Sequence, residues 1–415
     1  MERLDEAGGA LGERHGDAPA TSHSQGLPCE VERRFRVTGL LGEGAYGTVL
    51  CAVQRKRPHD RVALKRCGGC IDAPDALTLQ RIYREVVVLR QLRHDNIVAL
   101  RDLVLPADGP DVYLVLDAMP LDLERAIRLA VLRTVEQYRR VTVETLRALK
   151  YLHAAHLLHR DLKPSNILVD AGGHAKLCDF GLVRLIGLYS RCLTAYVGMR
   201  WYRAPELLLG STRYGTGVDI WALGCVVGEM LLGRPLLMGA SVEDQLGLTM
   251  GLVFGRRSAE EEVDISGMPE AAAQLAAVQP LGQVLEAKLH GQDPDCAPAV
   301  DLVRSCLRIS PDDRPSTREL LRHAFLQRLR DDADDLLWSE PVELPLPDSC
   351  LHDPDKYLTA LEGEAHIVRW SWASRLSTSS AVGSRASASG SESECSLEGS
   401  RVLTPASPEE RQARP

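Results

Sequence analysis

Long apolar runs are missing from this chain. No stretch approaches the ~20 consecutive apolar residues that cross a bilayer, so membrane insertion is not expected. The first residues form no apolar signal segment, no glycine follows the initial methionine, and no prenylation cysteine stands at the end. Aromatics are scarce, 5% of 415 residues, which leaves aliphatic side chains to fill most of the core. Positive charge is outnumbered, with 49 Lys and Arg against 57 Asp and Glu. The resulting net charge of −8 argues against a general nucleic-acid binder. The 11 cysteines are odd in number and follow no disulfide framework. A reducing compartment is the expectation, cytoplasmic and also nuclear.

What is present is concentrated in a few polar strings. His159-Arg160-Asp161-Leu162-Lys163-Pro164-Ser165-Asn166 stands between an apolar helical pattern, 141–152, and the stretch Ile167-Leu168-Val169. Cys178-Asp179-Phe180-Gly181 follows. Phosphoryl transfer needs a carboxylate that orients an incoming hydroxyl and accepts its proton, and Asp161 has that context. It needs oxygen ligands for magnesium, which Asn166 and Asp179 supply. It also needs a cation near the transferring phosphate, which Lys163 provides. Any one of these residues alone reads as a solvated loop charge. In this order they resemble the catalytic-loop and magnesium-loop pair of protein kinases.

Gly42-Glu43-Gly44-Ala45-Tyr46-Gly47-Thr48-Val49 has the pattern GxGxxGxV. It lies between two strand-like runs, 37–41 and 48–53, and no helix follows. A dinucleotide-binding βαβ unit would open a helix at the last glycine. A hairpin that folds over the phosphates of ATP fits better, because a backbone without Cβ atoms can approach them closely. Leu41, Gly42, Gly44, Gly47 and Val49 are therefore nucleotide-binding candidates. Val62-Ala63-Leu64-Lys65 is the next strand. Lys65 is either an edge-strand lysine in solvent or the lysine that holds the α- and β-phosphates and pairs with a helix glutamate. Glu85 is that partner, within a helical pattern over about residues 75–92. Cys67-Gly68-Gly69-Cys70 has the spacing of a zinc or redox half-site but lacks a second pair, so a flexible loop is expected. Val112–Met119 reads as a strand ending in a polar break. Asp122 either caps a helix beginning at Leu123 or binds ribose, and the two roles are compatible.

The segment 193–206, from Leu193-Thr194-Ala195-Tyr196 to Arg200-Trp201-Tyr202-Arg203-Ala204-Pro205-Glu206, makes the resemblance specific. With Gly217-Val218-Asp219-Ile220-Trp221 it is similar to the mitogen-activated protein kinases, over about residues 35–365. Details such as the loop before Arg81 resemble an atypical subgroup that activates itself by autophosphorylation. The resemblance implies an α+β fold: a bilobal protein kinase fold, with a small antiparallel β-sheet lobe carrying the αC helix and a large, mainly α-helical lobe. It implies a flexible arm over 1–34 and a kinase domain over 35–329, with lobes 35–118 and 119–329. A docking and wrap-around extension over 330–372 and a disordered Ser-rich tail over 373–415 complete the chain. It implies ATP and Mg2+ as cofactors. Leu116 then stands at the back of the adenine pocket, Asp117 and Met119 lie in the hinge, and Ala63 and Leu168 complete the nucleotide-binding set.

The same resemblance implies a route of activation. Phosphates on Thr194 and Tyr196 would each add nearly two negative charges. Arg81, Arg84, Arg160 and Arg184 suit phospho-Thr194, and Arg200 and Arg203 suit phospho-Tyr196. Asp219 would anchor the catalytic loop, and Glu206 and Arg314 would form a buried pair. Asp331, Asp334 and Asp335 match an acidic docking site for protein substrates, an upstream kinase or a phosphatase. Trp338, Trp370 and Trp372 are candidate anchors of the extension, and an extra helical insert is expected within 240–295. Thr404-Pro405 and Ser407-Pro408 are proline-directed acceptors in form. A monomer that transfers phosphate to Ser/Thr, proline-directed, is the resulting expectation. Two residues depart from the family pattern. Ala195 replaces a polar residue between the phosphosites, and Met199 replaces a threonine that links the activation segment to Asp161 and Lys163. Two alternatives stay open: a catalytically weak signalling scaffold, and a cyclin-dependent-type kinase.

Overall fold

The computed structural model describes residues 26–44, 47–72, 74–186, 199–254, 296–329, 342–343 and 353–383. The small lobe is one antiparallel sheet of β1 (Phe35–Gly44), β2 (Gly47–Gln54), β3 (Arg57–Cys67), β4 (Leu100–Val104) and β5 (Val112–Asp117), in the order β1-β2-β3-β5-β4. Period-two alternation sends Phe35, Val37, Leu50, Ala52, Leu64 and Val115 to one face. That face is covered by α1 (Cys29–Arg34) through Val31, which is fully buried. The other face carries Ala63 and Leu114 against Leu79, Val86 and Leu89 of α2 (Ala76–Gln91). The Asp75 carboxylate caps α2 by accepting the Thr78 N–H at 2.9 Å.

Two domain limits differ from the sequence reading. Within the arm expected over 1–34, residues 29–34 belong to the fold, since α1 is helical and seals the sheet. Arg34 pairs with Asp102, and Asp108 accepts the Cys29 N–H at 2.7 Å. One buried apolar residue in a six-residue helix leaves no readable period. The tail boundary at 373 is overrun by the C-terminal helix, which runs to Gly383. Between 371 and 382 there is neither glycine nor proline to stop it.

The large lobe begins with β6 (Leu121–Asp122), α3 (Leu123–Arg128) and α4 (Val135–Ala154), the last started by a Thr134/Gln137 capping box. Short strands β7 (Leu157–Leu158), β8 (Ile167–Val169), β9 (Ala175–Leu177) and β10 (Arg184–Leu185) pair as β6-β8-β9 and β10-β7. After α5 (Pro205–Leu208), helix α6 (Gly217–Leu232) is buried on every side from Val218 to Leu232, as an apolar helix without a polar face must be. Gly224 has no room for a side chain there, because a Cβ would come within 2.7 Å of the Cys306 Cβ. The described part closes with α7 (Val242–Phe254), α8 (Cys296–Cys306), α9 (Thr317–Leu321) and α10 (Pro354–Gly383). Most of the insert expected in 240–295, the residues Asp331, Asp334, Asp335 and Trp338, and the side chains of Trp370 and Trp372 lie outside the described residues.

Two tertiary contacts organise these elements. Arg314 makes a bidentate pair with Glu206 at 2.7 and 2.8 Å, as the sequence reading expects. Its guanidinium lies 5.1 Å from the Trp221 ring and also donates to the Arg308, Ile309 and Gly217 carbonyls. Helix α10 packs on α2. The Tyr357 hydroxyl accepts from Gln80 at 3.2 Å, its ring sits 5.8 Å from that of Tyr83, and Arg90 pairs with Glu364 at 2.6 Å. Tyr357 and Glu364 thus anchor α10 on α2 among the described residues.

Arg314→Met is expected to strand the Glu206 carboxylate and to lower the unfolding free energy by about 3–5 kcal/mol, read by urea denaturation. Tyr357→Ala is expected to cost about 3 kcal/mol on the same curve, and Tyr357→Phe only about 1 kcal/mol, since the ring stays and one hydrogen bond goes.

Candidate active site

The hairpin of β1 and β2 keeps pairing as far as Gly44 opposite Gly47. Gly47 has φ 129°, and a Cβ there would fall 1.8 Å from the Arg66 carbonyl oxygen, so only glycine fits. Built Cβ atoms at Gly42 and Gly44 would meet nothing within 4 Å, so both positions border open space. Beneath the hairpin is a cleft of about 350 Å³. That volume lies within the range of about 300–1,000 Å³ usual for small-ligand sites.

Every nucleotide-binding candidate named from the sequence lines this cleft: Leu41, Gly42, Gly44, Gly47, Val49, Ala63, Lys65, Leu116, Asp117, Met119, Asp122 and Leu168. Val98, Pro120, Leu121, Ser165 and Cys178 line it as well and were not named. Ser165 and Cys178 lie inside the diagnostic strings, whereas Val98 carries no local signal. The Asp117 carboxylate accepts from Arg101 at 2.8 Å and Lys176 at 3.1 Å and braces the strand end. Asp122 shows the capping role and stands at the cleft. It accepts the Arg125 N–H at 2.7 Å, capping α3, and it lines the cleft.

Strand β3 and helix α2 bring Lys65 and Glu85 together. The ammonium lies 2.7 and 2.9 Å from the two carboxylate oxygens and 3.5 Å from Asp179. Burial alone would pull the Lys65 pKa down, but Asp179 and Glu85 outweigh it and hold the ammonium well above its ordinary value. Burial pushes the Asp179 carboxyl up, and Lys65 with Lys163 and His159 more than reverses that, so it stays ionised.

Asp219 builds the catalytic loop from below. This carboxylate, 1% exposed on α6, accepts the backbone N–H groups of His159 at 3.0 Å and Arg160 at 2.8 Å, and His153 Nε2 lies 2.9 Å away. Burial opposes its charge, and His153, His159 and the Arg160 N–H together outweigh burial, so its pKa is lowered. Arg160 and Asp179 both adopt left-handed backbone, with φ 68° and 64°, a conformation uncommon without glycine and concentrated at functional sites. The Asp161 carboxylate accepts from Lys163 at 2.7 Å and from the Asn166 amide at 2.9 Å. With its amide nitrogen so occupied, Asn166 keeps a carbonyl oxygen to offer. Together with the ionised Asp179, this is the all-oxygen donor set that magnesium prefers.

Four of the expected phosphate-binding arginines gather at one segment. Arg84 donates to the Gly181 carbonyl at 2.8 Å, Arg160 to the Leu182 carbonyl at 3.3 Å, Arg81 packs at Gly181, and Arg184 is on β10. Arg200 donates to the Ala240 carbonyl at 2.6 Å, and Arg203 lines the depression that also holds Asp161 and Lys163. Thr194 and Tyr196 lie outside the described residues. Met199 is 44% exposed at the rim of the same depression. Its thioether has no hydrogen to donate.

Cys67-Gly68-Gly69-Cys70 corrects an expectation. It is an ordered turn, with both thiols buried and the Gly69 N–H held by the Asp111 carboxylate at 2.8 Å. Burial pushes the thiols up, to about 12 for Cys67 and about 11 for Cys70. No cluster of three or more metal-binding side chains occurs among the described residues.

Comparison with known proteins places this geometry. Residues 35–326 match the protein kinase domain family. The chain is 38% identical over 338 residues to mitogen-activated protein kinase 15 of Rattus norvegicus, covering 79% of this chain and 59% of that protein. It thus spans less than two thirds of that relative's length. It is 35% identical over 334 residues to extracellular signal-regulated kinase 2 of Dictyostelium discoideum, covering 78% of this chain and 88% of that protein. To the mitogen-activated protein kinase homolog NTF3 of Nicotiana tabacum it is 35% identical over 306 residues, covering 73% and 80%. A kinase domain that fills both lobes, and long matches to named members in animal, slime mould and plant, establish that the chain belongs to the mitogen-activated protein kinase family.

Proposed function

We propose that the chain is a magnesium-dependent protein kinase that moves the γ-phosphate of ATP to Ser or Thr side chains of proteins. The observation that carries this reading is the convergence of Lys65, Glu85 and Asp179 within ion-pair distance at the back of the cleft. Lys65, oriented by Glu85, binds and positions the α- and β-phosphates. Asp161 orients the acceptor hydroxyl and takes its proton. Lys163, 2.7 Å from Asp161, balances charge that gathers on the transferring group. Asn166 and Asp179 would hold magnesium, which supplies charge neutralisation at the phosphates when bound. Rate acceleration then rests on positioning and on preset electrostatics.

Thr194 and Tyr196 are the phosphorylation sites that switch the chain on in this reading, acceptors of its own activity as well as of an upstream kinase. The arginines at 81, 84, 160 and 184 would receive the first phosphate, and those at 200 and 203 the second. Asp331, Asp334 and Asp335 would dock basic segments of substrates and regulators, mainly by steering. Proline-directed specificity and a cytoplasmic and nuclear site follow from the family reading. A second reading, a weakly catalytic scaffold, is favoured by Met199, which stands beside Asp161 and Lys163 without a hydroxyl to offer.

Radiolabelled phosphate transfer by the purified chain, with ATP, magnesium and a generic basic protein, decides between them. Transfer is expected, with label on Thr194 and Tyr196 by mass spectrometry, and Asp179→Ala is expected to lower it by about 10²-fold or more. Silence of the parent chain after phosphorylation of both sites would favour the scaffold. Met199→Thr is expected to raise turnover about tenfold with little change in the KM for ATP, the scale of one regained hydrogen bond to a charged group.

A further inference from the structure

The bonds at the back of the cleft run through Lys65 and Arg84. A different one closes its mouth. Arg125, half-buried on the first turn of α3 in the large lobe, donates from Nη1 to the Leu41 carbonyl at 2.8 Å. Leu41 belongs to β1 of the small lobe, 84 residues away in the chain, and its side chain lines the cleft. The backbone of β1 is arranged to present that carbonyl. Its pairing with β2 shifts between Leu40 and Gly42, so Leu41 is skipped in the register. β1 is also the edge of the sheet among the described residues. A residue skipped at a bulge is left outside the ladder, and its polar groups are free for another partner. The backbone N–H of Arg125 meanwhile holds the Asp122 carboxylate, which lines the cleft from the large lobe. One residue therefore fastens a small-lobe strand to a large-lobe helix and fixes a carboxylate at the rim.

We propose that Arg125 is a latch between the two lobes, a positioning residue that sets how fast a nucleotide enters and leaves the cleft. This rests on the nucleotide-binding reading of the cleft given above. The bond joins protein to protein. Its loss changes how often the mouth opens more than how well the closed cleft holds its ligand. Entry and exit should therefore quicken together while affinity moves little. A residue that touched the nucleotide directly would behave otherwise, because losing a ligand contact raises the exit rate and weakens affinity in parallel.

The test is stopped-flow binding of a fluorescent ADP analogue with magnesium to the full chain. Arg125→Met keeps the aliphatic stem and removes every donor, and Arg125→Lys keeps one donor group. Melting temperatures are measured on both, and the lysine variant carries the test should the methionine variant fail to fold. For Arg125→Met, association and dissociation rate constants are expected to rise together by about tenfold, equivalent to about 1.4 kcal/mol, with Kd moving less than about threefold. Arg125→Lys is expected to fall between this variant and the parent. Unchanged rates in a folded variant overturn the latch and leave the nucleotide site standing. A dissociation rate that rises alone, with Kd rising in step, also overturns it and makes Arg125 a ligand contact. A parent chain that binds no nucleotide removes the site and the latch together.

Discussion

The geometry of the site depends on one buried carboxylate. Asp219 sits in a helix that is apolar on every side, where an unpaired charge would be costly. It is kept there by three donors, two of them the backbone N–H groups of the loop that carries Asp161. The need runs both ways. The carboxylate requires those donors, and in return it holds the backbone of His159 and of Arg160, the latter with a positive φ of 68°. Arg314 and Glu206 do the same one layer out, tying the segment before α6 to the chain after α8. The large lobe thus carries its chemistry on a base braced by the short bonds of Asp219 and of Arg314.

The small lobe supplies the other half by a looser means. Lys65 is on a strand and Glu85 on a helix, and nothing covalent or local sets their distance. Packing sets it. One face of α2 lies on the sheet, and α10 lies on another part of its surface through Tyr357 and Glu364. Ion pairing then adds direction, since the two carboxylates around Lys65 keep its ammonium charged in a buried place. Positioning by packing, and charge by neighbours, are separate tasks given to separate residues.

Much of this was legible in the sequence because kinase chemistry is written in short strings. Residues 159–166 and 178–181 are local, and so is the glycine hairpin, so reading them in order finds about half of the cleft lining, and the runs around Lys65 and Leu116 add much of the rest. Lys65 with Glu85, and Glu206 with Arg314, were also reached, though 20 and 108 residues separate the partners, since each sits in a recognisable run. What escaped lacks such a run. Val31 is a single apolar residue in a short helix, and Val98 lines the cleft from an isolated position. Tyr357 is one aromatic in a helix whose apolar stripe is weak. The turn at Cys67-Gly68-Gly69-Cys70 was taken for a loose loop because the carboxylate that holds it, Asp111, comes 42 residues later than Gly69.

The contact between Gln80 and Tyr357 spans 277 positions. A ribosome delivers the small lobe first, and domains generally begin to fold in that order. Here the helix that carries Glu85 cannot bury its outer side until the last described helix has emerged. The small lobe, made before the large lobe, is therefore completed after it. Contacts of such long separation slow the closing stage of folding. A nascent chain that has already assembled Asp161 and Asp179 on their base still lacks a fully braced partner for Lys65. In this architecture completion of the phosphate-handling pair waits for a helix that begins at Pro354.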